Sequence, residues 1–334
     1  MGHIAATLNL SRTTVSYALS GQWRAVGISP LTREQILAKA QELGYRRNQI
    51  ATSLKTRVTK TIGVVVPNMS GDSYEHMLHG IESAVGNEYT LLLGISEYDA
   101  NKERGILQSF HDRLVDGLII VHAGCDESIH WIQQLQEFEI PVVQADRYFA
   151  NLKTDVVEAD NDALGFTLTN HFLDRGDRSI HFVRSPVTNN GTLARAHGHE
   201  RAMQTRGLRP RLWPAQPVNS DEERVAFGYR HAREILRKEK NPFTVVAHDL
   251  SICFGVYSAA KEAGRHEGVR IGAVANASNN PIYDFLPSNV TLAVWSVKDM
   301  GFHAGKLLLR RLQSLPRDTG RCKTVRIPCK ILSK

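Results

Sequence analysis

No stretch of this sequence approaches the eighteen or so consecutive apolar residues of a membrane-spanning helix. The longest apolar runs, such as Ile62 to Val66 and Leu118 to Val121, have the length of buried strands. The N-terminus lacks a basic segment followed by an apolar stretch, so no secretory signal is expected. Cysteine is scarce and scattered: Cys125, Cys253, Cys322 and Cys329 form no CxxC pair and no metal-type spacing. Reduced thiols in a cytoplasm are therefore expected, rather than a disulfide or zinc framework. Also missing are GxSxG, a Walker sequence, HExxH and a GxGxxG that opens a helix after a strand. His181, His197, His199 and His248 are spread as ordinary polar positions would be. The expectation is a protein that is no enzyme, with no catalytic residues, no metal and no cofactor.

What is present is an ordinary globular balance, 42% hydrophobic and 22% charged over 334 residues, enough for two or three domains. The net charge of +7 is concentrated at one end. Residues 1–60 hold nine basic side chains (Arg12, Arg24, Arg33, Lys39, Arg46, Arg47, Lys55, Arg57 and Lys60) against Glu34 and Glu42. That excess accounts for the whole net charge, and the remainder is neutral. A basic head on a neutral body is the footprint of a polyanion-binding module joined to something else, although a solvated basic face would look the same by charge alone.

Three short helices are expected in the first 45 residues. Ile4 to Leu10 forms the first, and Arg12 to Ser20 the second, with Ser11 as N-cap and Gly21 as stop. The third begins at Ser29-Pro30, with proline at the first helical position, and runs to Gly44. Asn9 centres the tight turn between the first two, a position asparagine tolerates in a left-handed conformation. Two short helices on such a turn, buttressed by a third, read as a helix-turn-helix whose second helix enters the major groove. Arg12, Thr13 and Tyr17 then face bases, and Thr14 and Ser16 face phosphate oxygens. A plain three-helix core with no DNA role is the competing interpretation.

From Thr61 onward short apolar strands alternate with amphipathic helices, which argues for parallel sheets with right-handed crossovers. Strands are expected at 61–67, 91–96, 117–122, 141–146, 180–185, 243–249, 270–276 and 290–295. Two successive halves imply two lobes of an α/β fold, with a ligand at the carboxyl ends of the strands in the cleft between them. Asp146 and Asp249 lie after strands, where carboxylates accept hydroxyl hydrogen bonds, and His122 and Asn276 occupy comparable loop starts. Tyr74 and Trp295 are candidate stacking faces. Each of these residues has a structural alternative in core packing or a local hydrogen bond.

The run Ile4-Ala5, Ser11, Thr14-Val15-Ser16, Leu19, Ser29-Pro30, Thr32-Arg33 and Glu42-Leu43-Gly44-Tyr45 resembles the DNA-binding domain of the lactose/galactose repressor (LacI/GalR) family. The likeness continues through Arg46, Asn48, Ala51, Ser53, Leu54 and Lys55, which match that family's hinge helix. It covers the rest of the chain through Val65-Val66-Pro67-Asn68, Asp116-Gly117-Leu118, Asp146-Arg147, Asp160-Asn161, Gly176-Asp177-Arg178 and His248-Asp249. The resemblance implies a helix-turn-helix domain at 1–45, a hinge helix and linker at 46–58, and a two-lobed periplasmic-binding-protein-like core. Its N-terminal lobe is expected at 61–160 and 291–320, and its C-terminal lobe at 161–290 and 321–334.

By matching position, Asn48, Ala51, Leu54 and Lys55 join the DNA contacts, and Leu54 is the wedge inserted at the operator centre. An apolar wedge of this kind unstacks a base step and bends the duplex. A hinge of that length is too short to hold as an isolated helix, which suits a switch element. Arg195 matches the family's effector-contacting arginine.

Several features depart from the family. The opening Thr-Ile-x-Asp is missing, which places the expected start upstream of Met1. Asn9 replaces a turn glycine, Tyr17 stands where arginine is common, and Arg47 stands where proline is frequent. Gln22 to Gly27 makes a longer loop, and Ala273 to Ser278 lacks the usual paired acids, which removes anchors that many members use for hydroxyl-rich ligands. The Asn276 region, Trp295 and the C-terminal ending are most similar to the maltose-regulon repressor branch, and with no leucine-heptad tail a homodimer is expected.

The resulting expectation is a dimeric, sequence-specific regulator, a repressor, that binds double-stranded operator DNA and is governed by a sugar or sugar derivative in the interlobe cleft. The alternative is a soluble small-molecule-binding protein with a basic N-terminal extension.

Overall fold

The computed structural model describes all residues except 46–57, 70–72, 126, 185–188, 214–220, 241, 277–282, 284, 315–319 and 334. It divides into two units, residues 1–59 and 60–334.

The first unit contains helices α1 (Gly2–Thr7), α2 (Arg12–Leu19) and α3 (Pro30–Glu42). Each of the two longer helices is started by a serine. The Ser11 hydroxyl accepts from the Thr14 amide at 2.9 Å, and the Ser29 hydroxyl from the Thr32 amide at 3.0 Å. Both satisfy an amide that has no partner inside its own helix. Asn9 sits at φ 51° in the α1–α2 turn, and Gly44 at φ 58° ends α3. Ile4, Ala5, Val15, Ala18, Ile36 and Ala40 close a small core. The remaining faces of α2 are left to solvent.

The second unit holds two six-stranded sheets. Its chain order is β1 (Thr61–Val66), α4 (Ser73–Val85), β2 (Thr90–Ile95), α5 (Ala100–Asp112), β3 (Gly117–Ile120), α6 (Glu127–Glu137), β4 (Val142–Ala145), β5 (Asp155–Ala159) and α7 (Asn161–Asp174). It continues with β6 (Ile180–Val183), α8 (Asn190–Thr205), β7 (Arg211–Trp213), α9 (Asp221–Lys238), β8 (Phe243–Ala247), α10 (Leu250–Glu262), β9 (Val269–Asn276) and β10 (Val290–Trp295). The last elements are α11 (Val297–Gln313), β11 (Thr324–Ile327) and β12 (Cys329–Leu332). The first sheet runs β11-β5-β4-β3-β1-β2 and is parallel throughout. The second runs β12-β10-β9-β8-β6-β7, with only β12 antiparallel to its neighbour. Strands covered on both faces read as continuous apolar runs, which is why residues 62–66 and 118–121 are so uniformly hydrophobic.

Three expectations need correction. Residues 291–295 do not belong to the first lobe: β10 pairs with β9 in the second sheet, and the chain crosses only afterwards, where Ser296 caps α11. The C-terminal segment is not one strand of the distal lobe. It breaks at Pro328, which has no amide hydrogen to donate, so β11 completes the first sheet and β12 the second. Strands β5 and β7 were not anticipated at all.

Acidic side chains staple the N-terminal ends of the strands. Asp116 accepts from the Lys60 amide at 2.7 Å, and Asp177 accepts from Thr244 at 2.7 Å and from Arg270. Asp155, fully buried at the start of β5, accepts from Arg310, from Arg311 and from the Lys323 amide. The carboxyl ends of the strands are left to form the site.

Candidate functional site

A cleft of about 510 Å³ lies where the carboxyl ends of strands from both sheets meet. Its first wall follows β3 and β4. Asp146 leaves β4 with φ 63°, a left-handed conformation rare outside glycine, and so carries local strain that turns the next residues into the cleft. The Arg147 guanidinium lies over the Tyr98 ring at 5.1 Å, and Asn68 donates to the Tyr98 hydroxyl at 2.9 Å. Burial lowers the Arg147 pKa, but Tyr74, Asp146 and Tyr98 together outweigh it and hold the group above its ordinary value. Phe149 stacks on His122, ring centroids 3.8 Å apart and planes 20° from parallel. The Gln144 side chain pins this loop, accepting from the Phe149 amide at 2.8 Å and donating to Thr154 at 2.6 Å. His122 is 4% exposed, and neither ring nitrogen has a partner among the described residues. Burial, helped by Arg147, pushes its pKa down to about 3, so it is neutral, with one donor and one acceptor to offer.

The second wall is made of helix starts. Asn161 opens α7, Asn189 caps α8, and Asp249 caps α10 by accepting from the Ile252 amide at 2.9 Å. Arg195, in the second turn of α8, donates through Nε to Asn161 at 2.7 Å and through Nη1 to the His248 ring and carbonyl, each at 3.2 Å. A guanidinium only donates, so His248 Nε2 accepts and its buried Nδ1 carries the proton, with no partner among the described residues. Burial drives His248 well below its ordinary pKa and lowers that of Arg195. Arg224 pairs with Asp249 at 2.8 Å. Asn190 reaches across the cleft and donates to the Tyr148 carbonyl at 2.9 Å, joining the two walls.

Helices α7 and α8 touch backbone to backbone. A Cβ on Gly165 would stand 2.0 Å from the Arg195 carbonyl oxygen, and one on Gly198 would stand 2.1 Å from that of Asp162. These two glycines set the depth at which Arg195 enters the cleft.

Of the residues singled out in the sequence, His122, Asp146, Arg195 and Asp249 line this one cleft. The other three do not. Trp295 is 5% exposed and packs in the core rather than offering a stacking face, because β10 is an interior strand of its sheet. Asn276 ends β9, where its carbonyl accepts from Tyr283. Tyr74 is half-buried, packed against the core and hydrogen-bonded to Arg147, and burial raises its pKa. Sequence reasoning missed Tyr98, Arg147, Phe149, Asn161, Asn190 and Arg224. Arg147 and Asn161 had a signal, since each adjoins an acidic residue at a strand end.

In the first unit, Arg12, Thr13, Ser16 and Tyr17 are exposed on α2, opposite buried Val15 and Ala18. Thr14 is half-buried, and its hydroxyl lies 2.8 Å from that of Ser11, within the cap. Asn48, Ala51, Leu54 and Lys55 lie outside the described residues. Among the described residues, no helix is long and apolar enough to cross a membrane.

Comparison with known proteins agrees with this architecture. Residues 62–314 match the periplasmic binding protein domain family. The HTH-type transcriptional regulator RegA of Clostridium saccharobutylicum is 27% identical over 292 residues, covering 86% of this chain and 85% of that protein. Catabolite control protein A of Priestia megaterium is 24% identical over 330 residues, covering 98% and 96%. Among solved structures, a LacI family transcriptional regulator from Enterococcus faecium with bound ribose superposes with a TM-score of 0.65 at 23% identity, over 81% of this chain and 96% of that one. The chain thus belongs to the periplasmic binding protein domain family, in the branch formed by the LacI-type transcriptional regulators.

Proposed function

We propose that this protein is a dimeric, cytoplasmic transcriptional repressor whose grip on operator DNA is set by a small hydroxylated effector in the interlobe cleft. The observation that carries the reading is the union in one chain of a basic three-helix unit, with Arg12, Thr13, Ser16 and Tyr17 exposed on its second helix, and a two-lobed body with a polar cleft. Arg12, Thr13 and Tyr17 would read base edges, with Ser16 and Thr14 on the phosphates. Asn48, Ala51 and Lys55 would follow the minor groove beside the Leu54 wedge. Two heads on one dimer call for half-sites about 10 bp apart.

In the cleft, Asp146, Asp249, His122 and Arg195 supply complementary donors and acceptors for hydroxyl groups, and the E. faecium relative holds ribose in its own structure. A change in lobe angle transmitted to the hinge would couple the two sites by about 1–3 kcal/mol.

Selection from random duplex DNA tests the reading, with enrichment of a twofold-symmetric site as the expected outcome. A chain lacking residues 1–58 should lose that binding completely while keeping the folded body. DNA binding that survives the deletion sinks the assignment and favours a ligand-binding protein with a basic extension.

A further inference from the structure

We propose that the cleft is built for a small hydroxylated monoanion, a sugar acid, rather than for a neutral sugar. The inference rests on the effector reading above and goes beyond it in the charge of the ligand.

The first observation is charge balance. The described residues lining the cleft include three guanidinium groups, Arg147, Arg195 and Arg224, but only two carboxylates, Asp146 and Asp249. Each carboxylate is committed. Asp249 pairs with Arg224 at 2.8 Å and caps α10, and Asp146 stands 4.0 Å from Arg147. Arg195 has neutral partners only, the Asn161 amide oxygen and His248. Its Nε and Nη1 are taken up by these, which leaves Nη2 as a donor with no partner among the described residues. A half-buried cation whose hydrogen-bond partners are all neutral, with Asp146 and Asp249 acting on it only through space, is favoured by an anion placed beside it.

The second observation is the direction of the helices. α7, α8 and α10 all start at this cleft, through Asn161, through Asn189 to Thr192, and through Asp249. The first amides of a helix have no partner within it, and its start carries a partial positive charge. Asp160 at α7 and Asp249 at α10 each cap with a carboxylate, whereas the sixteen-residue α8 is capped by the neutral Asn189, which satisfies the Thr192 amide but leaves the partial positive charge of that start unmatched at the cleft.

The third observation is independent of both. His122 lines the opposite wall of the cleft with two buried ring nitrogens that have no partner among the described residues, and His248, which also lines it, keeps a buried Nδ1 without one. Such groups call for a ligand with polar atoms along its length. Phe149, stacked on His122, provides an apolar edge beside them. One excess positive charge matches one carboxylate. A phosphate ester carries about −1.5 to −2 at neutral pH, which would overshoot that balance next to Asp146 and Asp249.

The test uses the full chain and three matched sets of compounds: neutral aldoses, the aldonic and uronic acids derived from them, and their phosphates. Binding is read by titration calorimetry at two salt concentrations. The expected result is at least one acid bound tenfold or more tighter than its neutral parent and weakened by salt. Arg195→Gln should lower that affinity about 10- to 100-fold, the range for a lost charge-assisted hydrogen bond. Arg195→Lys, which keeps the charge, should retain the preference for the acid even where Arg195→Gln is poorly folded. A neutral parent bound as tightly as its acid, a preferred phosphate, or acid binding indifferent to Arg195→Gln overturns the inference and leaves the effector reading intact. If no compound of the three sets binds while the chain still selects an operator, the sugar reading of the cleft falls as well, and DNA binding stands.

Discussion

The two lobes of the body are wound alike and finished differently. Both sheets place their strands in the same relative order, with the sixth strand supplied by the C-terminal segment on either side of Pro328. The carboxyl ends that face the cleft differ in chemistry. The first lobe contributes flat rings, Tyr98, His122 and Phe149, beside the Asp146 and Arg147 charges, with the loop pinned by the buried Gln144. The second contributes helix starts and the guanidinium groups of Arg195 and Arg224. The lesson is that topology decides where a side chain can meet a ligand, while the few residues after each strand decide what it offers.

The sharpest contrast lies at the far ends of the strands. Asp155 is fully buried among Arg310, Arg311 and the Lys323 amide, whereas Asp177 meets an Arg270 side chain that is 44% exposed. Asp155→Asn should cost about 3–5 kcal/mol in urea unfolding, the range for breaking a buried pair. Asp177→Asn should cost about 1–2 kcal/mol, because water screens its partner. Equal losses would refute this difference between the lobes. Burial alone would raise the Asp155 pKa, but Arg311, the Lys323 amide and Arg310 outweigh it and hold it below the ordinary value. Its contribution is therefore present above the unfolded pKa of about 4 and is lost as pH falls through the lower folded value.

A second contrast separates stability from ligand binding. Cβ atoms on Gly301 in the first lobe and Gly198 in the second would each collide with a facing helix backbone, at 2.0 and 2.1 Å. Alanine at either position should destabilise by about 1–3 kcal/mol or more. Only Gly198→Ala forces apart the helices that position Arg195, so only that variant should also weaken effector binding, by roughly tenfold on calorimetry. Equal effects of both variants on affinity would show that α7–α8 packing does not position the cleft.

The last contrast, small near neutrality, emerges only in acid. Each lobe buries one histidine near pKa 3, His122 in the first and His199 in the second, the latter bonded to Thr169 at 3.0 Å. Both are lowered chiefly by burial. Between about pH 6.5 and 3 the unfolded chain binds these protons and the folded chain does not. Each histidine should therefore reduce stability by about 1.4 kcal/mol for every unit the pH falls through that window. Thermal melts of His122→Asn and His199→Asn should each show a shallower acid limb than the parent, and an unchanged slope in either would deny that residue its neutral state.

Local features were legible because their causes are local. Ser11 and Ser29 cap their helices and Asn9 takes the left-handed turn through interactions spanning four residues or fewer. Strands such as β1 and β8 announce themselves by apolar runs buried on both faces. β5 escaped notice because it begins with Asp155 and carries Glu158. These acids are tolerated in a buried strand only because Arg310, Arg311 and Arg326 arrive from more than 150 residues away. β7 is a three-residue edge strand with no periodicity to read. Trp295 was mistaken for a cleft residue because the strand end was visible and the depth of β10 in its sheet was not.

Residue order by itself determined the basic head, its caps, the alternation of strands and helices, the absence of a long apolar span, and the family. Each depends on composition or on neighbours within a few positions of the chain. Tertiary structure alone decided that Asn190 would bridge to Tyr148, that Arg147 would lie on Tyr98, that β11 and β12 would part at Pro328, and that Arg195 would hydrogen-bond only to neutral partners. Those outcomes follow from where the chain crosses between sheets and how closely its helices approach, and both are set by packing among residues distant in sequence.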